Sequence, residues 1–216
     1  MLTMLEEIVL LSIDEQTGNL RSAPEFGTAY ALVGAAFFDL ALARKIDTDT
    51  EDLHILDTSP TGNFALDQIC THMAERPDLK TVRAWIEEIF RLHRDLESEA
   101  LTSLIDRGIL RHEKSKLLWI IDVQRFPMVD NKPQQHVTLR LAQAILSDEI
   151  PDTRDIMLVS IAQACGLLEF VLSDSTLRLR SQRIQTLCNL ETISRKVADA
   201  ILGLDKTLRQ SMTKVV

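Results

Sequence analysis

Residues 29–43, AYALVGAAFFDLALA, form the segment that most constrains the fold, because Asp39 is its one charged residue. A helix that is apolar on every side is normally buried at the centre of a domain. The run is too short to cross a bilayer. It therefore predicts a central buried helix, which we expect to begin at Pro24 and Glu25 and to continue to about Arg44. We expect Asp39 to be ion-paired, exposed at one edge or raised in pKa, with the first two favoured, since a lone buried acid is costly.

The composition favours helices around this segment. The 216 residues include 7 glycines and 6 prolines, and aromatic residues make up 5%, so chain-breaking and strand-favouring residues are both scarce. A capping box at Thr3 and Glu6 predicts that an N-terminal helix starts at Met4. No stretch has the composition of a linker between two domains, so we predict one domain covering residues 1–216.

One segment, residues 109–123, departs from the helical pattern and predicts a β-hairpin. Apolar runs at 109–111 and 116–123 flank the polar residues 112–115, and the second run is rich in β-branched and aromatic residues. We therefore place the turn at 112–115. The predicted fold class is mainly α, a single compact helical domain around the central hydrophobic helix, with one β-hairpin. A further short strand is considered at 53–56.

Charge is unevenly distributed along the chain. The formal net charge is −8, which argues against nucleic acid as a partner. The segment 171–216 is nevertheless basic, with eight Lys and Arg side chains against four Asp and Glu side chains. These basic residues either form solvated helix faces or contribute to a surface that meets anionic lipid headgroups.

Motifs for catalysis and metal binding are absent from the sequence. It contains no phosphate-binding glycine loop, no HExxH or GxSxG, and no Cys and His set with metal-ligand spacing. We predict no catalytic residues, no metal and no cofactor, and keep an enzyme built around Asp39 only as an alternative. Three cysteines without a CxxC indicate free thiols in a reducing compartment, and the N-terminus lacks signal-peptide features. These observations predict a cytoplasmic protein, peripheral to a membrane at most.

Six short segments in order carry a family resemblance. They are LTMLEE at 2–7, DLALARKI at 39–46, SPTGN at 59–63, TVRAWIE at 81–87, DRGIL at 106–110 and LLE at 167–169. Together they resemble the Golgi phosphoprotein 3 family over essentially the whole chain. The resemblance implies a mainly helical, peripheral membrane protein that recognises phosphatidylinositol 4-phosphate at the Golgi and helps to retain glycosyltransferases.

In this family one tryptophan and three arginines bind the lipid headgroup, because a doubly charged phosphomonoester needs charge-assisted hydrogen-bond donors. The tryptophan position corresponds here to Pro24, and the arginine positions correspond to Val33, Arg94 and Glu97. The resemblance therefore implies a headgroup contact at Arg94, with the other three positions departing from the pattern. We expect Glu97 to pair with Arg94 and to repel phosphate, which predicts relaxed or lost selectivity for phosphatidylinositol 4-phosphate.

The hairpin of the family contacts membranes and serves in self-association. Its counterpart here carries Lys114, Lys116, Leu117, Leu118 and Trp119. An exposed leucine and tryptophan beside lysines suit an interfacial anchor. The alternative is that these side chains alternate into the core of the same protomer.

The resemblance leads to two functional hypotheses. The first is a peripheral lipid-binding module whose partners are anionic phospholipid headgroups, with a homo-oligomer forming through the hairpin as a further option. The alternative is a non-enzymatic protein-interaction or self-associating scaffold that no longer binds phosphoinositide. The sequence shows no long polar N-terminal tail, which in the family engages vesicle coat proteins, so we expect no coat-protein binding.

Overall fold

Two helices that are buried along nearly their whole length form the centre of the computed structural model. The structure describes residues 1–21, 23, 26–49, 52–117 and 121–213, and for 115–117, 121–123, 205 and 207–213 it describes the backbone. Every residue of α1, Met4–Ser12, is buried, as is most of α2, Gly27–Leu42. Helix α1 packs against α2, and the helices that follow are α3 Phe64–Glu75, α4 Val82–Ile89, α5 His93–Asp106, α6 Lys132–Leu146, α7 Thr153–Ala164, α8 Asp174–Leu179, α9 Ser181–Cys188 and α10 Thr192–Thr213.

The predicted mainly α fold class is confirmed. Short 3₁₀ turns at Phe90–Leu92 and Leu167–Phe170 join α4 to α5 and follow α7, respectively. Helix α1 contacts α2, α5 and α6, while α2 contacts α5, α7 and α10. The helix predicted from its apolar composition therefore lies at the centre of the helical packing, as its lack of a polar face requires.

The ends of the two central helices follow from the residues beside them. The Thr3 hydroxyl accepts a hydrogen bond from the Glu6 N–H at 3.1 Å, and the Glu6 carboxylate accepts one from the Thr3 N–H at 2.7 Å. The predicted capping box is confirmed. Helix α2 begins at Gly27 rather than at Pro24, because Phe26 has a left-handed φ of 66° that interrupts a right-handed helix. It ends at Leu42, before Arg44, which also has a left-handed φ, of 57°.

Asp39 caps helix α1 from within α2. Its carboxylate accepts hydrogen bonds from the backbone N–H of Met4 at 2.8 Å and of Leu5 at 3.2 Å. The expectation of an ion pair or an exposed edge is wrong, because this buried acid satisfies free donors at a helix N-terminus, where the helix dipole favours negative charge. The third alternative, a raised pKa, agrees with the structure, because burial raises the pKa of Asp39 to about 6.

Polar side chains from distant parts of the chain hold both ends of α1. The Glu6 carboxylate pairs with Arg107 at 2.8 Å, and the Glu7 carboxylate lies 3.3 Å from a guanidinium nitrogen of Arg154. At the other end, the Gln134 side-chain amide donates to two backbone carbonyls, at 2.6 and 2.8 Å. The two hydrogen bonds from Gln134 satisfy carbonyl oxygens that the C-terminal end of a helix leaves free.

Two antiparallel strand pairs accompany the described helices. Strand β1, Ile46–Thr48, pairs with β2, Leu53–Ile55, close to the short strand considered at 53–56. Strand β3, Glu113–Leu117, pairs with β4, Ile121–Arg125, and places Glu113 opposite Arg125. The predicted hairpin is present, but its turn does not lie at 112–115, because residues 113–115 belong to β3. An exposed two-stranded ribbon tolerates polar residues on both faces, so the apolar pattern does not fix its register.

The hairpin is attached to the helical body at its base. Leu110 is buried and forms a β-bridge with Met128. The Phe126 N–H donates to the Gly18 carbonyl at 2.6 Å. Gly18 has a φ of 67°, and a Cβ at this position would lie 2.7 Å from the backbone nitrogen of Pro127. Glycine is therefore required where this loop meets the hairpin.

Candidate functional site

Four rings lie together where α2 begins and α5 begins, and we call Phe26, Tyr30, Phe90 and His93 the aromatic corner. The Phe90 ring is 4.5 Å from the Tyr30 ring and is stacked on His93 at 5.0 Å, measured between centroids. Phe26 meets Phe90 edge to face at 6.1 Å and is 55% exposed. These contacts fix the first turn of α5 against the start of α2, and they leave one ring accessible.

Arg94 and Glu97 lie on α5, just after His93 of the aromatic corner. They are three residues apart, which places both side chains on the same side of this helix, whereas Phe90 precedes α5 in the 3₁₀ turn. Arg94 is exposed and Glu97 is half-buried. Burial raises the pKa of the Glu97 carboxyl, and the nearby charges of His93 and Arg94 partly oppose this effect. The expected ion pair is not formed, because within the described part of the chain no cation lies within ion-pair distance of Glu97.

Of the remaining headgroup positions the structure describes Val33, which does not join this surface. Val33 is fully buried, with 0% of its surface exposed. Its neighbour Gly34 packs so closely that a Cβ there would overlap Ile161 and would lie 3.2 Å from a methyl group of Val197. A side chain at position 33 therefore points into packed core. Pro24 lies outside the described residues.

The predicted hairpin residues are only partly described. Lys114 is exposed, and its register partner on β4 is Gln124. For Lys116 and Leu117 the structure gives the strand backbone alone, and Lys116 stands opposite Asp122. Leu118 and Trp119 lie outside the described residues. The sequence nevertheless places them between the end of β3 and the start of β4, whereas our predicted turn preceded them.

Further basic residues flank the hairpin base. Arg111 is largely exposed and pairs with Glu113 at 2.9 Å, and Arg125 is exposed at the end of β4. The hairpin and its base thus present basic side chains on a narrow ribbon whose strands contact chiefly each other. Such a ribbon can meet a surface without disturbing the helical body.

A groove of about 700 Å³ runs between α3 and the start of α5. The sequence analysis missed it, because its residues come from segments that the sequence separates. One of its acids, Glu88, accepts hydrogen bonds from His72 at 2.8 Å and from Arg76 at 3.1 Å, and it also pairs with Arg91. The hydrogen bond from His72 lowers the pKa of Glu88. This groove wall is therefore an internal ion-pair cluster that links α3 to α4.

The three cysteines are free thiols, as predicted. Cys70 and Cys165 are buried, and Cys188 is half-buried. Burial raises the thiol pKa of Cys70 and of Cys188, which lowers the fraction of reactive thiolate. Among the described side chains, no group of three or more His, Cys, Asp and Glu residues is arranged to hold a metal ion. In the same part of the chain, no helix combines the length and apolarity that a membrane crossing requires.

Comparison with known proteins reveals matches over most of the chain. The family model described as Golgi phosphoprotein 3 (GPP34) matches residues 4–203. Vacuolar protein sorting-associated protein 74 of Eremothecium gossypii is 25% identical over 207 residues, covering 80% of this chain and 62% of that protein. The protein of the same name from Schizosaccharomyces pombe is 25% identical over 167 residues, covering 68% of this chain and 49% of that protein. The match thus spans about half to just under two thirds of the length of these relatives.

Proposed function

This chain belongs to the Golgi phosphoprotein 3 family, and from that premise we propose that it is a peripheral membrane protein that attaches to lipid surfaces through its β3–β4 hairpin. The proposal adds to family membership a statement about which part of the chain meets the lipid. The observation that carries it is a hairpin that is tied to the body at its base and whose residues 111–114, 124 and 125 are exposed.

Backbone hydrogen bonds fix the base of the hairpin to the helical body. Backbone hydrogen bonds join Arg111 to Pro127 at 3.0 Å and Val129 to Ile109 at 2.9 Å. Together with the bond to Gly18, they hold both strands where they leave the helical body. A ribbon held in this way does not have to be ordered again each time it binds, which reduces the entropic cost of association.

The sequence between the strands supports the same proposal. The residues that follow β3 are Leu118, Trp119 and Ile120, and exposed Lys114 lies within β3. Large apolar residues beside cations suit the boundary between headgroups and acyl chains. Burying one such side chain contributes about 1.5–3 kcal/mol, so one hairpin binds weakly and several copies or a headgroup contact would strengthen the attachment.

We propose that this chain has lost selectivity for phosphatidylinositol 4-phosphate. Only Arg94 offers a guanidinium among the expected headgroup positions, and a single arginine beside Glu97 is a poor partner for a doubly charged phosphate. Buried Val33 supplies no donor. Binding should therefore follow the general negative charge of the surface and weaken with salt. We further propose a non-enzymatic role at the cytoplasmic face of a membrane, in keeping with the family.

Co-sedimentation with liposomes tests this proposal. Vesicles of phosphatidylcholine alone, with phosphatidylserine, and with phosphatidylinositol 4-phosphate are compared at low and physiological salt. We expect binding to both anionic mixtures without strong preference, reduced by salt and by Leu118→Glu. The matched control is Leu139→Glu, since Leu139 is 60% exposed on α6. Absence of binding to every vesicle would refute the proposal and would leave the self-associating scaffold, which light scattering can measure.

A further inference from the structure

We propose that a cavity between α7 and the pair of short helices α8 and α9 binds a single-chain amphiphile, an alkyl or acyl chain whose head is uncharged and forms hydrogen bonds. The residues that line the cavity come from the segment 163–188, so it shares none with the hairpin or with the aromatic corner. The inference therefore goes beyond the proposed function and does not depend on it.

The path of the chain after α7 creates this cavity. Gly166 has a left-handed φ of 73°, which ends the right-handed helix and directs the chain into the 3₁₀ turn Leu167–Phe170. The helical conformation is interrupted again at Arg180, between α8 and α9. Helix α8 packs on the 3₁₀ turn and α9 packs on α7. These contacts enclose a volume of about 590 Å³, which is within the range of small-molecule sites.

The deep part of the cavity is apolar. Leu168 and Ile184 line it and are only 2% and 4% exposed. Partly buried Leu177 and Cys188 also line it, and both pack against the hydrophobic core. An alkyl chain that lies on these four side chains leaves water, and the free energy gained grows with the apolar area that is buried.

Five exposed polar side chains surround the apolar part. Among the described residues, none of the five has a side-chain hydrogen bond or an ion pair with another part of the chain. They are Gln163, Glu169, Arg178, Ser181 and Gln185. Amide, hydroxyl and charged groups are therefore available to a ligand at this cavity. The groove between α3 and α5 differs, because its acid Glu88 is already engaged by His72 and Arg76.

The charges at the rim favour an uncharged head. Arg178 and Glu169 carry opposite formal charges and do not form an ion pair with each other. A carboxylate head would be attracted by Arg178 and repelled by Glu169, and the reverse holds for an ammonium head. Either charged head would also lose part of its hydration at the cavity. An amide or hydroxyl head avoids this loss and can use the glutamine amides and the Ser181 hydroxyl.

Cys188 provides a readout of occupancy within the cavity. Its thiol is half-buried in the lining, whereas Cys70 and Cys165 are buried. Burial raises the pKa of the Cys188 thiol, so its modification is slow at neutral pH and is best followed at pH 8 to 8.5. A chain lying on the apolar part of the cavity covers this thiol and slows its modification further.

Protection of Cys188 in the full chain from methyl methanethiosulfonate, quantified by mass spectrometry, tests the inference. The probes are octanamide, octanoate and octylammonium, which share one alkyl chain length and differ in the charge of the head. The backbone amide signals of residues 163–188, followed by NMR during the same titrations, provide a second readout that does not involve the thiol.

Four variants accompany the probes. Gln185→Trp places a large ring at the cavity, and Gln182→Trp is its matched control, because Gln182 is exposed on the same helix outside the cavity lining. Glu169→Gln and Arg178→Gln each remove one charge from the rim. All four positions are exposed, so these variants should fold, which thermal unfolding checks.

We expect octanamide at ten times its Kd to slow the modification of Cys188 about tenfold, since only the free site exposes the thiol. Octanamide should bind about fivefold more tightly than either charged probe. Glu169→Gln should narrow the difference for octanoate, and Arg178→Gln should narrow it for octylammonium. Gln185→Trp should abolish the protection, and Gln182→Trp should retain it.

Three results would overturn the inference. The first is octanamide that changes neither the rate at Cys188 nor the amide signals of residues 163–188. The second is a charged probe that binds the original chain more tightly than octanamide does. The third is protection by octanamide that persists unchanged in Gln185→Trp. None of these results bears on the attachment of the hairpin to lipid, which the liposome experiment measures separately.

Discussion

Replacing Asp39 with asparagine should remove a pH-dependent part of the free energy of unfolding. The Asp39 carboxyl is buried within the central pair of helices, and burial raises its pKa from 3.8 to about 6. The folded protein therefore holds this proton more tightly than the unfolded chain does. The stability that the protonated Asp39 carboxyl contributes is fully present below the pKa of the unfolded state, and it is lost as the pH rises through the pKa of the folded state.

The size of the effect follows from the two pKa values. A change in a carboxyl pKa from 3.8 to about 6 corresponds to about 3 kcal/mol. Asparagine keeps a carbonyl oxygen that can accept from the Met4 N–H but carries no charge. The free energy of unfolding of Asp39→Asn, relative to the original chain, should therefore rise by up to about 3 kcal/mol between pH 4 and pH 7.5.

Urea unfolding followed by circular dichroism over this pH range measures the difference. Asp39→Ala is the control, since it also removes the titrating group but leaves the N–H groups of Met4 and Leu5 without an acceptor. It should be less stable than Asp39→Asn by about 1–3 kcal/mol at every pH. A difference between Asp39→Asn and the original chain that stays constant across the range would refute the reasoning about burial.

Three further substitutions test close packing and the headgroup positions. Gly34→Ala adds a methyl group that overlaps Ile161, so it should cost about 1–3 kcal/mol of stability; an unchanged melting temperature would contradict this. Gly18→Ala forces a side chain onto a φ of 67° and against Pro127, so it should lower the free energy of unfolding by at least about 1 kcal/mol. It should also weaken vesicle binding; unchanged vesicle binding would show that the hairpin does not carry binding. Val33→Arg places a charge where 0% of the surface is exposed, so it should destabilise the fold by at least about 3 kcal/mol. It should not restore phosphoinositide binding; a stable, phosphoinositide-selective variant would show that position 33 can reach a ligand.

The helices were predictable because their signals are local. The capping box of Thr3 and Glu6 and the apolar run around Asp39 each act within a few turns of chain. The register of the hairpin was not predictable, since the unbroken run of polar residues at 113–116 suits a turn as well as an exposed ribbon. It depends instead on the attachment of Phe126 to Gly18, which joins segments far apart in sequence.

The candidate site was likewise predictable only in part. The sequence identified Arg94 and Glu97 as expected headgroup positions, and their position on one helix face follows from their spacing. Their failure to pair, and the contacts of the Phe90 ring with Tyr30 and His93, depend on the packing where α2 meets the start of α5. The ion pairs of Glu88 with His72 and with Arg76 likewise join residues that no local pattern links.

The burial of α1 has a consequence for how the chain folds during synthesis. This helix leaves the ribosome before its partners Arg107 and Gln134, which follow 101 and 124 residues behind the positions they contact. Until they emerge, an apolar segment remains without its covering surface, and it is a ready target for chaperones. The domain can therefore complete its folding only after α6 has been made.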